Sequence, residues 1–375
     1  MPPKPRKRAR RSPTPIYESE SEPEADSDLE FGLDDESATR SPLLPIIPAP
    51  RGFLALPPEL ISQILSYFPE IGIEHILTGS YHMGSWSDSR PEDLDLLVRF
   101  SVLRALSQLS RLSRLRFLPL LWERFQVCLP PKSDPGGQWF LYIGQAMETK
   151  CKGLLDSNHL WPYVKTVTVS ITRHKSSEAM PLFVELLGVL PNLHTLEVLH
   201  TRFMMVASLK KYFEGNIFPS IQRVVLPTRA HDILRCCPRV REVTCSGEDG
   251  GGLVGALVHT RCPKLEILRR VTAKSVLKKR LNKASPPLRC VRIDGRLREN
   301  LTESAISVFS TFPSLRIIEI EAAEGDEVDS VVKLASNALR KCAEQTKATK
   351  SWNLRGSTRN TRPASTGSTN TGPRL

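Results

Sequence analysis

Pro191-Asn192-Leu193-His194-Thr195-Leu196-Glu197-Val198 sets apolar side chains at the third, sixth and eighth positions of a frame that a proline opens. Residues two apart on a strand point the same way, so Leu196 and Val198 share one face. The frame therefore reads as a turn that feeds a half-buried strand. Outward from it, the same spacing begins at Pro162 (Val164, Val167, Val169), Pro219 (Ile221, Val224, Leu226) and Pro238 (Val240, Val243, Cys245). It returns at Pro286 (Leu288, Val291, Ile293) and Pro313 (Leu315, Ile318, Ile320). Pro263 fits in part, with Leu265 and Leu268 in place and Arg270 at the last apolar position. Successive prolines lie 19 to 29 residues apart, and a regular period of this size is the mark of a stacked repeat.

Helix-like apolar stretches fall between the frames: Leu182, Val184, Leu186, Leu187 and Leu190, then Val206, Leu209 and Phe213, then Leu253 with Leu257, then Leu301, Ile306 and Phe309. One strand and one helix cannot bury their apolar sides alone, so neighbouring units must stack. The frame and its period resemble those of leucine-rich repeats, which span about 20–29 residues. The usual asparagine of that repeat is missing, which makes the array irregular. The expectation is an α/β solenoid over 161–343, leucine-rich-repeat-like, with parallel strands on one face and helices on the other.

The frame also accounts for cysteines. The residue ahead of the proline is Trp161, Leu190, Phe218, Cys237, Cys262 or Phe312, with Ser285 as the exception. Cys237 and Cys262 thus take a bulky apolar place and Cys245 a strand core place, where a free thiol acts as a small hydrophobe. No C-x-x-C pair occurs and the eight histidines are scattered, so neither zinc nor any other metal or cofactor is expected.

Ahead of the repeats, Leu56-Pro57-Pro58-Glu59-Leu60 opens a helix, with proline in the first turn and Glu59 at its positive end. Leu60, Ile61, Ile64, Leu65 and Phe68 follow at helical spacing as one apolar stripe. A second helix is expected over about Leu103–Phe117, ending in Pro119-Leu120-Leu121-Trp122. Read from spacing alone, this is a helical hairpin with its own core.

Leu56-Pro57-Pro58-Glu59-Leu60 with Ile64-Leu65 resembles the opening of the F-box, and Leu106-Ser107, Leu109-Ser110-Arg111 and Pro119-x-Leu121-Trp122 resemble its closing half. The run from Arg104 through Arg124 is similar to a class of fungal F-box proteins. The resemblance implies a small all-α unit over 53–126 that docks on the Skp-type adaptor of a cullin-RING ubiquitin ligase. It assigns that docking to Leu56, Pro57, Leu60, Ile64, Leu65, Leu109, Leu121 and Trp122. Residues 127–160 are read as a helical linker.

The F-box halves are separated here by an insert at 69–98, where the family has a few residues. Gly79-Ser80 and Gly84-Ser85, followed by Asp93-Leu94-Asp95, resemble the active-site pattern of minimal nucleotidyltransferases. Asp93 and Asp95 would share a strand face and could hold magnesium. That fold needs a flanking sheet, for which the insert has no room between the helix patterns. The chain is therefore read as non-enzymatic, with the nucleotidyltransferase as a remote alternative.

Composition bounds the rest. Thirty prolines and 40% hydrophobic residues point to unpacked segments, and a net charge of +12 invites a nucleic-acid reading. The charge is divided, however: Lys4, Arg6, Lys7, Arg8, Arg10 and Arg11 form a basic block, and ten acidic residues lie from Glu18 to Glu36. Residues 1–50 hold too little apolar surface to offset chain entropy and are expected to be disordered, as are 344–375. The basic block reads either as a nuclear localisation signal or as a solubilising tail, so the location is cytoplasmic, nuclear or both. No aromatic residues alternate with its charges, which argues against specific nucleic-acid binding. Neither a secretory leader nor an apolar run long enough for a membrane span is seen, so the cysteines are read as thiols of a reducing compartment.

Strand positions that flank the apolar ones point away from the core: Thr166, Thr168, Thr195, Glu197, Arg223, Glu242, Thr244, Arg292 and Glu319. Of these, Thr168, Glu197, Arg223, Glu242, Arg292 and Glu319 are the candidates for contacting a target protein on the concave face. The expected role is a ligase adaptor. A repeat scaffold without ligase function is the alternative.

Overall fold

Each proline frame becomes a strand of one parallel sheet. The computed structural model describes residues 52–68, 98–128, 139–247, 250–260, 262–271, 275–293, 306, 308–320 and 328–357. The basic block, Gly79, Ser80, Gly84, Ser85, Asp93, Asp95 and Leu301 lie outside these residues.

The helical segment comprises α1 (Pro58–Ser66), α2 (Val98–Gln108) and α3 (Arg111–Trp122). The repeats follow as β1 (Arg124–Val127), α4 (Trp139–Leu155), β2 (Thr166–Ile171), α5 (Ser176–Val189), β3 (Thr195–Thr201) and α6 (Val206–Phe213). They continue as β4 (Arg223–Leu226), α7 (His231–Arg235), β5 (Glu242–Cys245), α8 (Gly251–Thr260), β6 (Ile267–Arg269) and α9 (Ser275–Ala284). β7 (Cys290–Ile293), β8 (Ile317–Ile320) and α10 (Val328–Ser357) complete the described elements.

The eight strands pair in sequence order, all parallel. A parallel neighbour requires a crossover, and the helices supply it. The result is an α/β solenoid-like arrangement. Its register explains the frame: the sixth-position residues stand in one ladder, Phe125, Val167, Leu196, Val224, Val243, Leu268, Val291 and Ile318. All but Ile318 are buried, as are the third-position residues from Val164 to Leu315. The shortest spacing, from Pro219 to Pro238, is met by the five-residue helix α7. Ser285, the exception ahead of a proline, is exposed and takes a positive φ of 41°.

The sheet starts one strand earlier than the frames. β1 pairs with β2 although no proline stands in frame ahead of it, and the stretch read as a linker contributes α4, whose Ile143, Met147, Cys151 and Leu154 join the solenoid core. α10 runs on to Ser357. Residues 358–375 lie outside the described ones.

The helix expected over Leu103–Phe117 is two helices. Ser110 adopts extended backbone and its hydroxyl accepts from the Ser113 amide at 3.1 Å, a capping geometry that ends α2 and starts α3. Pro119 lies inside α3 rather than beyond it. A small core holds Ile61, Leu65, Leu103 and Phe117, edged by Leu54, Leu56, Phe68, Leu106, Leu120 and Leu121. The two halves meet across the insert: Arg116 donates to the carbonyls of Leu54 and Leu56, and Arg99 donates to that of Leu65 at 3.0 Å. Phe53 stacks on Phe117 with ring centroids 5.9 Å apart. The opposite side of α3 presents Leu118 and Trp122 to the solenoid core. One helix thus belongs to both cores.

Candidate interaction surfaces

α1 is apolar on two sides. Ile61 and Leu65, one turn apart, are buried, whereas Leu60 and Ile64, also one turn apart, are 44% and 37% exposed. The single stripe expected from the sequence is therefore two rows, one inward and one outward. Leu109, at the break between α2 and α3, is 72% exposed. Tyr67 and Leu115 are exposed as well.

The residues matched to adaptor docking divide accordingly. Pro57, Leu60, Ile64 and Leu109 are on the surface. Leu56 and Leu121 are half-buried against the small core. Leu65 is a core residue, 2% exposed, and is withdrawn from the docking set, because its side of α1 faces Leu103 and Phe117. Trp122 is half-buried against the solenoid, so its role is to join the two cores. The signal for this division was present in the alternation of pairs one turn apart, but spacing alone does not say which pair faces in.

On the sheet, the strand positions between the ladders form two rows away from the helices. One runs Gln126, Thr168, Glu197, Val225, Thr244, Arg269, Arg292 and Glu319. The other includes Arg124, Thr166, Thr195, Arg223 and Glu242. The direction read from the sequence is right, but exposure does not follow from it. Thr166, Thr168, Thr195, Glu197 and Thr244 are buried. Thr168 and Glu197 are consequently corrected from surface contacts to enclosed groups: the Thr168 hydroxyl donates to Glu197 Oε2 at 2.6 Å, and Arg124 lies 3.7 Å from the same oxygen. Burial pushes the Glu197 carboxyl above its ordinary range, against the lowering effects of the Thr168 hydrogen bond, Arg124 and Arg223.

Further along, Glu242 lies between Arg223 at 3.4 Å and Arg269 at 2.9 Å on the flanking strands. Arg223 is exposed, and Glu242, Arg292 and Glu319 are half-buried. The accessible part of this face is therefore a set of charges of mixed sign over β4 to β8.

Chemistry on the face is subdued. All eight cysteines are buried thiols, and burial raises Cys128 and Cys151 to about 12 and Cys236 and Cys290 to about 11. Such thiols stay protonated at neutral pH and are poor nucleophiles. Among the described residues, no group of three or more His, Cys, Asp or Glu side chains is placed to hold a metal ion. Among the same residues, no helix is long and apolar enough to cross a membrane.

No protein-family model matches the chain, and no curated protein matches it significantly. Fold and surfaces together define a class: an α/β solenoid-like body with a small helical segment built onto its first strand.

Proposed function

We propose that the chain is a substrate-recognition adaptor of a Skp-cullin-F-box type ubiquitin ligase, with an F-box-like segment at α1–α3 and a leucine-rich-repeat-like solenoid that holds a target protein. The carrying observation is the outward row of Leu60 and Ile64, together with the exposed Leu109, on a helical segment whose own core is already filled by other residues. These are positions that the F-box resemblance assigns to the Skp-type partner. Burying each such side chain in an interface is worth roughly 1.5–3 kcal/mol, which makes a leucine row an anchor rather than a solubility feature.

The mechanism is proximity. The helical segment tethers the ligase and the solenoid presents the target, while ubiquitin transfer occurs on other subunits. Because α3 contributes to both cores, the two functions are held on one rigid helix instead of a flexible link.

The test is capture of the full chain by a purified Skp-type adaptor, compared with Leu60→Asp. Binding that this substitution abolishes supports the proposal. No capture of the unmodified chain rejects it and leaves a repeat scaffold without ligase function. Trp122→Ala is unsuitable as a docking control, since Trp122 packs on the solenoid.

A further inference from the structure

The turns that lead into the last four strands line up through their backbones. The Glu266 amide donates to the Arg241 carbonyl at 2.8 Å, the Arg289 amide to that of Glu266 at 2.7 Å, and the Arg316 amide to that of Arg289 at 2.9 Å. Arg241, Glu266, Arg289 and Arg316 therefore stand in one row along the rim ahead of β5 to β8, about 4.8 Å apart from strand to strand. Arg239 and Lys264 precede Arg241 and Glu266 by two residues. Arg239, Arg241, Lys264, Arg289 and Arg316 are all exposed.

Their charge is not balanced within the rim. These turns are described throughout, as 236–242, 262–267, 284–290 and 310–317, and the acids within them are Glu242 and Glu266. Glu242 already sits between Arg223 and Arg269 on the sheet. Glu266 lies 3.7 Å from Arg289, whose side chain is still 68% exposed. Among the described residues, no ion pair reaches Arg239, Arg241 or Lys264. Arg316 donates to the carbonyls of Pro313 and Leu315, which carry no charge.

The fold does not ask for this row. A cation in the last turn of a helix offsets the helix dipole, but these five lie in turns and strand starts. Arg289 and Arg316, on neighbouring strands, repel each other. Ahead of β2 to β4 the same places hold Tyr163, Asn192 and Ser220, then Lys165, His194 and Gln222, and Lys165 is paired with Glu123 at 3.0 Å. The excess begins at β5.

A line of exposed cations is complementary to an extended anion. The aromatic side chain in these turns, Phe312, is buried, so nucleic-acid bases have no ring to stack on. A phosphodiester strand, charged at every residue, would also meet Glu266 in mid-row. An extended peptide can set an uncharged residue there and its carboxylates on either side. We propose that the rim ahead of β5 to β8 binds an extended acidic segment of the target protein, with its carboxylates paired to Arg239, Arg241, Lys264, Arg289 and Arg316. This rests on the solenoid being the target-holding part of the proposed adaptor.

The probe is a short fluorescein-labelled peptide of alternating glutamate and serine, titrated with the full chain and followed by anisotropy. Saturable binding in the micromolar range is expected, weakening as salt rises from about 0.05 to about 0.5 M. Arg241→Glu with Arg289→Glu should weaken it about tenfold or more, and Glu266→Gln should tighten it about twofold. Arg104→Glu with Arg114→Glu, exposed positions on α2 and α3, makes the same change in net charge and should leave the affinity as it was. A full chain with the acids from Glu18 to Glu36 changed to Asn or Gln is titrated in parallel. Absence of saturable binding from both chains, an equal loss in the two charge-reversed pairs, or tighter binding of a single-stranded oligonucleotide of equal charge would overturn the proposal. So would binding confined to the chain without its acidic run, since that run and not a target would then be the occupant. Adaptor capture by the unmodified chain is read separately. Capture without peptide binding defeats the rim alone, and peptide binding without capture defeats the adaptor reading alone.

Discussion

In the solenoid, apolar strand residues are sealed into a ladder that seven of eight strands bury, whereas in α1 the apolar residues form two adjacent rows, one buried and one exposed. The first pattern is what a repeat must do to be stable, because each unit depends on its neighbours for burial. The second is more than stability needs. Four fully buried apolar side chains make a core too small to stand unaided. The helical segment depends on the solenoid through Leu118 and Trp122, and with that support it can leave Leu60, Ile64 and Leu109 outside. The contrast separates apolar residues that hold the fold from those left available to a partner.

The comparison is broken most severely in the ladder. Leu196→Ala and Leu268→Ala each remove a fully buried side chain with strand neighbours on both sides, and each should cost about 2–5 kcal/mol. Urea unfolding followed by circular dichroism measures this directly. A cost below about 1 kcal/mol at both sites would mean that the repeats do not share one continuous core.

Arg116 tests the joint. Its guanidinium donates to the carbonyls of Leu54 and Leu56, so Arg116→Ala leaves two backbone acceptors without that partner and should cost about 1–3 kcal/mol. The loss should be local: hydrogen exchange should accelerate through α1 while β2 to β5 keep their protection. Acceleration spread evenly over the sheet would show instead that the segment and the solenoid unfold as one unit.

How much of this was legible in the sequence follows from what each signal encodes. The seven frames carry proline, a turn and a period of two, and each of them is a strand. Arg124-Phe125-Gln126-Val127 has the same alternation without the proline, so β1 was hidden. The period of two gave the direction of Thr168 and Glu197, but their burial depends on side chains from adjacent strands, which a single strand does not record. The break at Leu109-Ser110 was present as a serine followed three residues later by Ser113, a weak capping signal within a continuous apolar pattern. Arg241, Glu266, Arg289 and Arg316 share the fourth place of their frames, but their standing in one row depends on the backbone register between repeats.

The smallest expected effect sharpens the contrast from the other side. Leu60 and Leu109 are as apolar as Leu196, so composition predicts equal losses when any of the three is replaced. Exposure predicts otherwise: Leu109→Ser, at 72% exposed, should change stability by no more than about 0.5 kcal/mol, and Leu60→Ser, at 44% exposed, by no more than about 1 kcal/mol. The same urea titration used for the ladder measures both variants. A loss above about 1.5 kcal/mol at Leu60 would place it inside a core, and the outward row of α1 would then be structural. A small cost at Leu60 and Leu109, beside a large cost at Leu196, leaves these leucines with little folding role. Exposed leucines that do little for the fold are what the proposed docking requires.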